Sequence, residues 1–400
     1  MRQTTTLISL ASSFLAIQAM EAAATRIAFV DSFATARGNA FTATADNPSA
    51  VFYNAAGLTQ LEGTELQAQA FAISLAYEYD GASGKEKMDD EFQPVPSFFV
   101  AHKFEDRPLA IGFGSYAPFA LGSDWGSDAA FANPLLGGGA VPYEAELTYV
   151  KYHAVFAWQV SDTLSVAAGA SFDDSEIDVK SFGLRFNGDD RAAGYSLSVL
   201  WKPNEQHAFG LNYQAKTDIS YSGTAKVFIQ NELFAGYVPV DTTADLIFPE
   251  SIVFGYAYTP NEKWNFEFNL DWTNWDRVNK LKLDDIPGAA YNLNWESSFI
   301  WELGATRFFD NGWHLSAGYT YVENAVPDQE FLPIVPDSDR HFFALGVGGE
   351  VGQFTWQLTY QYAIASDRSV DNAEVHPFGA VDGDWDLDSQ AVAFSLNYSF

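Results

Sequence analysis

No cysteine occurs in the sequence, which excludes a disulfide framework, a thiolate metal site and a cysteine nucleophile. Basic residues are scarce: 21 Lys and Arg against 52 Asp and Glu leave a net charge of −31. A field of that sign repels a polyanion, and no basic stripe interleaved with aromatics is present, so nucleic acid is excluded as a partner. Long hydrophobic runs are missing as well. After the first two dozen residues nothing approaches the roughly 18 consecutive apolar residues of a membrane helix, which rules out a helical membrane protein. The G-x-S-x-G, H-E-x-x-H and G-x-x-x-x-G-K-[ST] patterns are absent and the 6 histidines are scattered, so the expectation is a non-enzyme with no cofactor and no resident metal.

What is present begins with a leader. Arg2, the apolar run Leu7 to Ile17 and the A-x-A site at Ala22-Ala23-Ala24 predict a signal peptide over residues 1–24 and therefore an exported protein. The rest of the chain is organised by alternation. Val392, Phe394, Leu396, Tyr398 and Phe400 alternate with Ala391, Ala393, Ser395, Asn397 and Ser399, so one face of a strand is apolar and the other tolerates water. The same period holds from Trp264 to Trp272, from Trp313 to Tyr321 and from Phe354 to Ile364. Tyr and Trp gather near strand ends, where the aromatic girdle of a membrane barrel sits.

About fourteen such segments follow Thr64, an even number as bacterial barrels require. Short turns fall at 105–108, 161–162, 202–205, 260–262, 310–312 and 351–352, and they alternate with long acidic or Gly/Pro-rich connections around 80–93, 119–144, 174–190, 223–244, 279–292, 324–338 and 366–387. One smooth end and one elaborate end is the topology of an outer-membrane barrel. The expected fold is therefore all-β: a transmembrane antiparallel β-barrel over residues 62–400, located in the bacterial outer membrane. Residues 25–61 do not alternate; Phe29, Phe33, Phe41, Val51, Phe52 and Leu58 give them apolar surface suited to a plug, the alternative being a periplasmic extension.

Three blocks carry a family resemblance: Ala36-Arg37-Gly38-Asn39-Ala40 with Ala45-Asp46-Asn47-Pro48-Ser49-Ala50-Val51-Phe52-Tyr53-Asn54-Ala55-Ala56-Gly57-Leu58; Asp271-Trp272-Thr273-Asn274-Trp275, preceded by Phe248-Pro249-Glu250-Ser251; and Val335-Pro336-Asp337-Ser338-Asp339-Arg340-His341. The sequence resembles the long-chain fatty acid transporter family of the outer membrane (FadL/TodX type), although Ala55 stands where that family usually has proline. The resemblance implies a 14-stranded barrel closed by an N-terminal hatch, with Arg37, Gly38, Asn54 and Gly57 among the hatch residues. It also implies passive admission of fatty acids or aromatic hydrocarbons, caught by apolar outer loops, held in a lumen pocket and released sideways at the third strand.

Particular residues can be assigned to those steps. Phe119, Leu121, Phe131, Leu135 and Leu136 in one connection, and Phe228, Leu233 and Phe234 in another, are too apolar for ordinary surface loops and are candidates for capture, unless they rest on each other or on the hatch. Gly112 and Gly114 in the third strand suit a kinked wall, or else tight packing at a barrel corner. A fatty acid, the ligand favoured over aromatic hydrocarbons, needs a partner for its carboxylate. Parity puts Lys151, His153 and Arg340 on the lumen face; the competing expectation is pairing with internal carboxylates. Asp382 to Asp388 is an acidic loop with closely spaced oxygens that would suit calcium or simply be solvated. The expected surroundings are outer-membrane lipid and lipopolysaccharide, and the expected state is a monomer. A polar-solute porin and an outer-membrane lipase with a Ser/His pair assembled in space are the remaining alternatives.

Overall fold

The computed structural model describes residues 25–88, 92–371 and 380–400; the expected leader lies outside them. Fourteen antiparallel strands close into a barrel. They are β1 (Gly63–Gly81), β2 (Phe92–Lys103), β3 in two pieces (Leu109–Tyr116 and Ala120–Asp124), β4 (Glu144–Ser161) and β5 (Leu164–Lys180). Next come β6 (Leu184–Asn204), β7 (His207–Gln214 and Thr217–Gln230), β8 (Ala235–Phe248 and Ser251–Asn261) and β9 (Trp264–Thr273). The last five are β10 (Ser298–Phe308), β11 (Trp313–Val322), β12 (Arg340–Val351), β13 (Phe354–Ala365) and β14 (Gly383–Ser399). Closure is by β1 on β14, in unbroken register from Glu65↔Ser399 to Gly81↔Gly383.

Alternation sets which way each strand faces. In β14, Val392, Phe394 and Leu396 are exposed on the outside while Ala391 and Ala393 are buried, and the outer face is the one that meets hydrocarbon. Two of the expected long connections are corrected. Residues 174–190 and 223–244 are mostly strand: β5 turns into β6 through residues 181–183, and β7 into β8 through residues 231–234. Above the membrane the outward face of each hairpin meets water while the inward face stays buried, as at Ile177, Val179, Tyr221 and Ala244, so the lipid-facing apolar alternation disappears while the hydrogen-bond ladder continues. The acidic run from Asp384 to Asp388 is likewise the start of β14, with Asp384, Asp386 and Asp388 on its exposed side. Among the described residues no group of His, Asp and Glu is arranged to hold a metal ion.

The segment before β1 fills the lumen. It holds two short helices, Ser32–Ala36 and Ala50–Tyr53, and a 3-10 turn, Ala55–Gln60. Its bonds reach the wall almost all the way round: Gln69 of β1 to the Phe29 carbonyl, Ser97 of β2 to the Val30 carbonyl, Asn54 to the Val199 carbonyl of β6, Thr320 of β11 to the Gly38 carbonyl, and Ser32 to Thr359 of β13. A periplasmic extension could make none of these. Close approach needs bare backbone on the wall: a Cβ on Gly318 of β11 would stand 1.9 Å from the Gly38 nitrogen. Gly38 itself has φ +61°, a conformation that favours glycine.

Candidate functional site

Above the hatch lies an apolar cavity of about 60 Å³. Leu147 of β4, Ile177 and Val179 of β5 and Phe248 of β8 form its wall, Thr25 of the hatch borders it, and chain that folds back over the lumen closes it. That returning chain supplies Trp275, in the turn after β9, Trp295, just before β10, and Leu332 to Val335, before β12. A cavity known to hold benzene measures roughly 150 Å³, so a ligand here has to part the lining side chains.

Among the described residues, the buried Lys and Arg side chains near the lumen each already have a carboxylate. Lys151 and His153 do face inward, as parity required, but Lys151 Nζ stands 3.4 Å from Asp173 of β5, which also accepts from Tyr149 (2.7 Å) and Thr217 (3.0 Å). His153 lies between Tyr116 (3.0 Å) and Ser196 (2.8 Å). Arg340 pairs with Asp337 at 2.5 Å, Arg26 with Asp271 at 2.6 Å and Arg37 with Glu267 at 3.4 Å. Within the hatch, burial raises the Asp31 carboxyl above its ordinary range, partly offset by hydrogen bonds from Asn47, the Phe33 amide and Ser49. Burial pulls Arg37 down, against the attraction of Glu267. Sequence reasoning missed Asp173, Glu267 and Asp271 as partners. Their only signal was inward parity on neighbouring strands.

The other hatch candidates are structural in the same sense. Asn54 donates to the Thr42 carbonyl as well as to β6, and its side chain accepts from the Ala56 amide at the start of the 3-10 turn. Gly57 lies against Ala45, whose carbonyl oxygen a Cβ would meet at 2.1 Å.

The apolar residues assigned to capture separate into two sets. Phe119 and Phe131 are interior: Phe119 packs on Phe248 (ring centroids 4.9 Å apart) and Phe131 on Trp125 (5.5 Å). Leu135 and Leu233 are 90% and 98% exposed, and Phe234 is half-exposed. Phe228 belongs to β7 rather than to a loop and stacks near Phe182 and Tyr237. The side chains of Leu121 and Leu136 lie outside what the structure describes.

The wall is interrupted at β3, but not at the glycines. Gly112 and Gly114 are register-paired on both sides, with Ala101 and Phe99 of β2 and with Val155 and His153 of β4. They are small because the hatch presses on them: a Cβ on Gly112 would meet Leu58 and Val51 at 2.7 Å. The break begins beyond them. The β2–β3 ladder ends at Phe98↔Ser115, after which β2 pairs only with β1 and the outer piece of β3 only with β4 among the described residues. Between Tyr116↔Lys151 and Ala120↔Thr148 the third strand carries one extra residue, a bulge at Ala117-Pro118-Phe119. The edge that β2 vacates is taken by the hatch, with the Ile27 amide bonded to the Pro118 carbonyl (2.8 Å) and the Ala120 amide to the Thr25 carbonyl (2.9 Å). Pro94 and Pro96 lie in the part of β2 that has lost its β3 partner, where a missing amide proton costs no ladder bond. That P-x-P was the overlooked sequence signal for the seam. A cavity of about 400 Å³ opens beside it, bordered by Gln93, Ser123, Trp125 and Glu146.

The chain matches a family model described as outer membrane protein transport protein (OMPP1/FadL/TodX) over residues 12–184 and 180–400. It is 23% identical to the long-chain fatty acid transport protein of Escherichia coli K12, in an alignment covering 61% of this chain and 55% of that protein. Among solved structures it superposes on a Pseudomonas aeruginosa FadL homologue with TM-score 0.84 at 16% identity, covering 94% of this chain and all of the other. It superposes on the Pseudomonas putida toluene transporter TodX with TM-score 0.71 at 14% identity, covering 96% and 100%.

Proposed function

Because the chain belongs to the outer membrane protein transport protein family (OMPP1/FadL/TodX), an outer-membrane family of transporters for hydrophobic compounds, we propose that it admits such compounds passively by capture at the outer rim, residence in the apolar cavity and sideways exit at the seam between β2 and β3. One observation carries this reading. The barrel axis is filled by a hatch bonded to the wall nearly all round, while the β2–β3 ladder of the wall stops at Phe98↔Ser115 beside a bulged third strand. A polar-solute porin needs the opposite arrangement. Lipopolysaccharide resists direct partitioning of apolar molecules, and a route that ends inside the bilayer spares them a passage through water.

The ligand class we favour is uncharged. A carboxylate buried without a partner is costly, and the cations that would receive one are already paired. Long-chain fatty acids are the second reading, favoured by the name of the Escherichia coli relative; they require Lys151 or Arg340 to exchange its present carboxylate for the ligand's. Aromatic hydrocarbons, the ligand type named for TodX, need no such exchange.

The native absence of cysteine makes the seam testable. Pro96→Cys with Ala117→Cys places a pair two residues beyond Phe98↔Ser115. Oxidation should abolish uptake of a labelled hydrocarbon by whole cells and reduction should restore it. Undiminished uptake through a verified cross-link would remove the lateral route.

A further inference from the structure

Two tryptophans of the cavity lining have indole N–H groups with nothing to donate to among the described residues. Trp275 and Trp295 are 1% and 7% exposed, both line the cavity, and neither indole N–H has an acceptor among the described residues. Other buried indoles are satisfied: Trp125 donates to the Pro333 carbonyl at 2.9 Å and Trp385 to the Val381 carbonyl at 3.1 Å. Buried donors in folded proteins are nearly always paired, and an orphan is costly. Here two orphans occur together, their rings 5.3 Å apart and edge to face. Both stand on the chain between β9 and β10 that folds back over the lumen. Trp275 closes the W-x-x-W segment whose other member, Trp272, is half-buried on a strand that exposes that parity to lipid.

We propose that Trp275 and Trp295 form a donor pair for an uncharged oxygen acceptor on the ligand, so that the cavity selects hydrophobic ketones, esters or alcohols over the corresponding hydrocarbons. This rests on the reading of the cavity as the ligand's resting place. The acceptor has to be neutral, because two neutral donors in an apolar lining do not offset the burial of a full charge. A site built to hydrogen-bond an oxygen discriminates against the analogue that lacks it, since the donors are then left unpaired.

The test uses the full-length barrel in lipid nanodiscs and two probes of nearly equal shape, acetophenone and isopropylbenzene. Binding is read by ligand-observed NMR and corrected for partition into protein-free discs. The wild-type protein should bind the ketone roughly threefold to tenfold more tightly than the hydrocarbon, the range set by one net hydrogen bond. Trp275→Phe and Trp295→Phe should each reduce that ratio toward one. In the unsubstituted protein, the tryptophan Raman band that reports indole N–H bonding should shift with acetophenone and not with isopropylbenzene, a readout independent of how the variants fold. Equal affinities with an unmoved band overturn the donor pair while leaving hydrophobic transport standing. Failure of both probes to bind overturns the cavity reading and the donor pair with it.

Discussion

Arg37 of the hatch and Glu267 of β9 form an ion pair at 3.4 Å with neither side chain open to solvent. Glu267 also accepts from the Ala43 and Thr44 amides at 2.7 and 3.0 Å, and Arg37 lies over the rings of Phe33 and Phe41. Removing one member of a buried pair strands the other, at about 3–5 kcal/mol, whereas replacing both is far milder. Arg37→Ala should therefore lower stability against denaturant by that amount, and Arg37→Met with Glu267→Gln by clearly less than the sum of the single changes. Additive losses would show that the two side chains do not act as a pair.

Gly318→Ala should dislodge the hatch without dissolving the barrel. The added Cβ would stand 1.9 Å from the Gly38 nitrogen and 2.2 Å from the Arg37 carbonyl carbon, a clash with backbone that no rotamer relieves. The β11 ladder to β10 and β12 is untouched. Heat-modifiable gel mobility should remain that of a folded barrel, while planar-bilayer recordings gain open-channel current and protease gains access to residues 25–61. A silent channel with a protected hatch would show that the wall yields instead.

Lys151→Ala separates the two ligand readings. It leaves Asp173 buried with hydroxyl donors but no cation, so the single variant should lose stability, and Asp173→Asn should recover most of it. In that double variant, uptake of a neutral hydrocarbon should stay within about twofold of wild type. If a fatty acid is the natural ligand held by Lys151, its uptake should fall by about tenfold or more, the scale of a hydrogen bond to a charged group.

At the tip of the β7–β8 hairpin, Leu233→Ser with Phe234→Ser removes exposed apolar surface that touches little. Stability should change by less than about 0.5 kcal/mol. Uptake at low ligand concentration should slow by roughly threefold to tenfold, with the equilibrium affinity of the cavity unchanged. Unaltered uptake would take the tip out of the capture step.

Much of this architecture is legible in sequence because a membrane barrel writes its faces with a period of two. Leu396 and Ala393 fall where parity places them, and the short turns at Gly312 and Gly352, with φ +79° and +65°, fall where turn chemistry demands. What was illegible has physical causes. From Asp173 to Arg191 the outward face is solvated and polar while the inward face carries Ile177, Val179 and Phe186, so the lipid-facing apolar parity that marks the other strands is lost and strand looks like loop. Lys151 meets Asp173 across the β4–β5 ladder, a contact fixed by register, which one strand read alone does not reveal. The kink was assigned to Gly112 and Gly114 because glycine is permissive, whereas those glycines make room for Val51 and Leu58 and the bulge lies at Ala117 to Phe119. The two unpartnered indoles could be found only by a count of acceptors in space.

The pairing of β1 with β14 is tied to the seating of the hatch. Ser32 bonds to the Ala393 carbonyl of β14, and Gln67 and Gln69 of β1 hold the hatch at Asp31 and Phe29, so the plug is stitched to both sides of the closing seam. Hatch seating and strand closure therefore reinforce one another, because the bonds at Ser32, Asp31 and Phe29 all lie beside the junction of the first and last strands. The plug thus acts as a clasp across the tube's own joint, and a variant that cannot seat it should close less stably as well as leak.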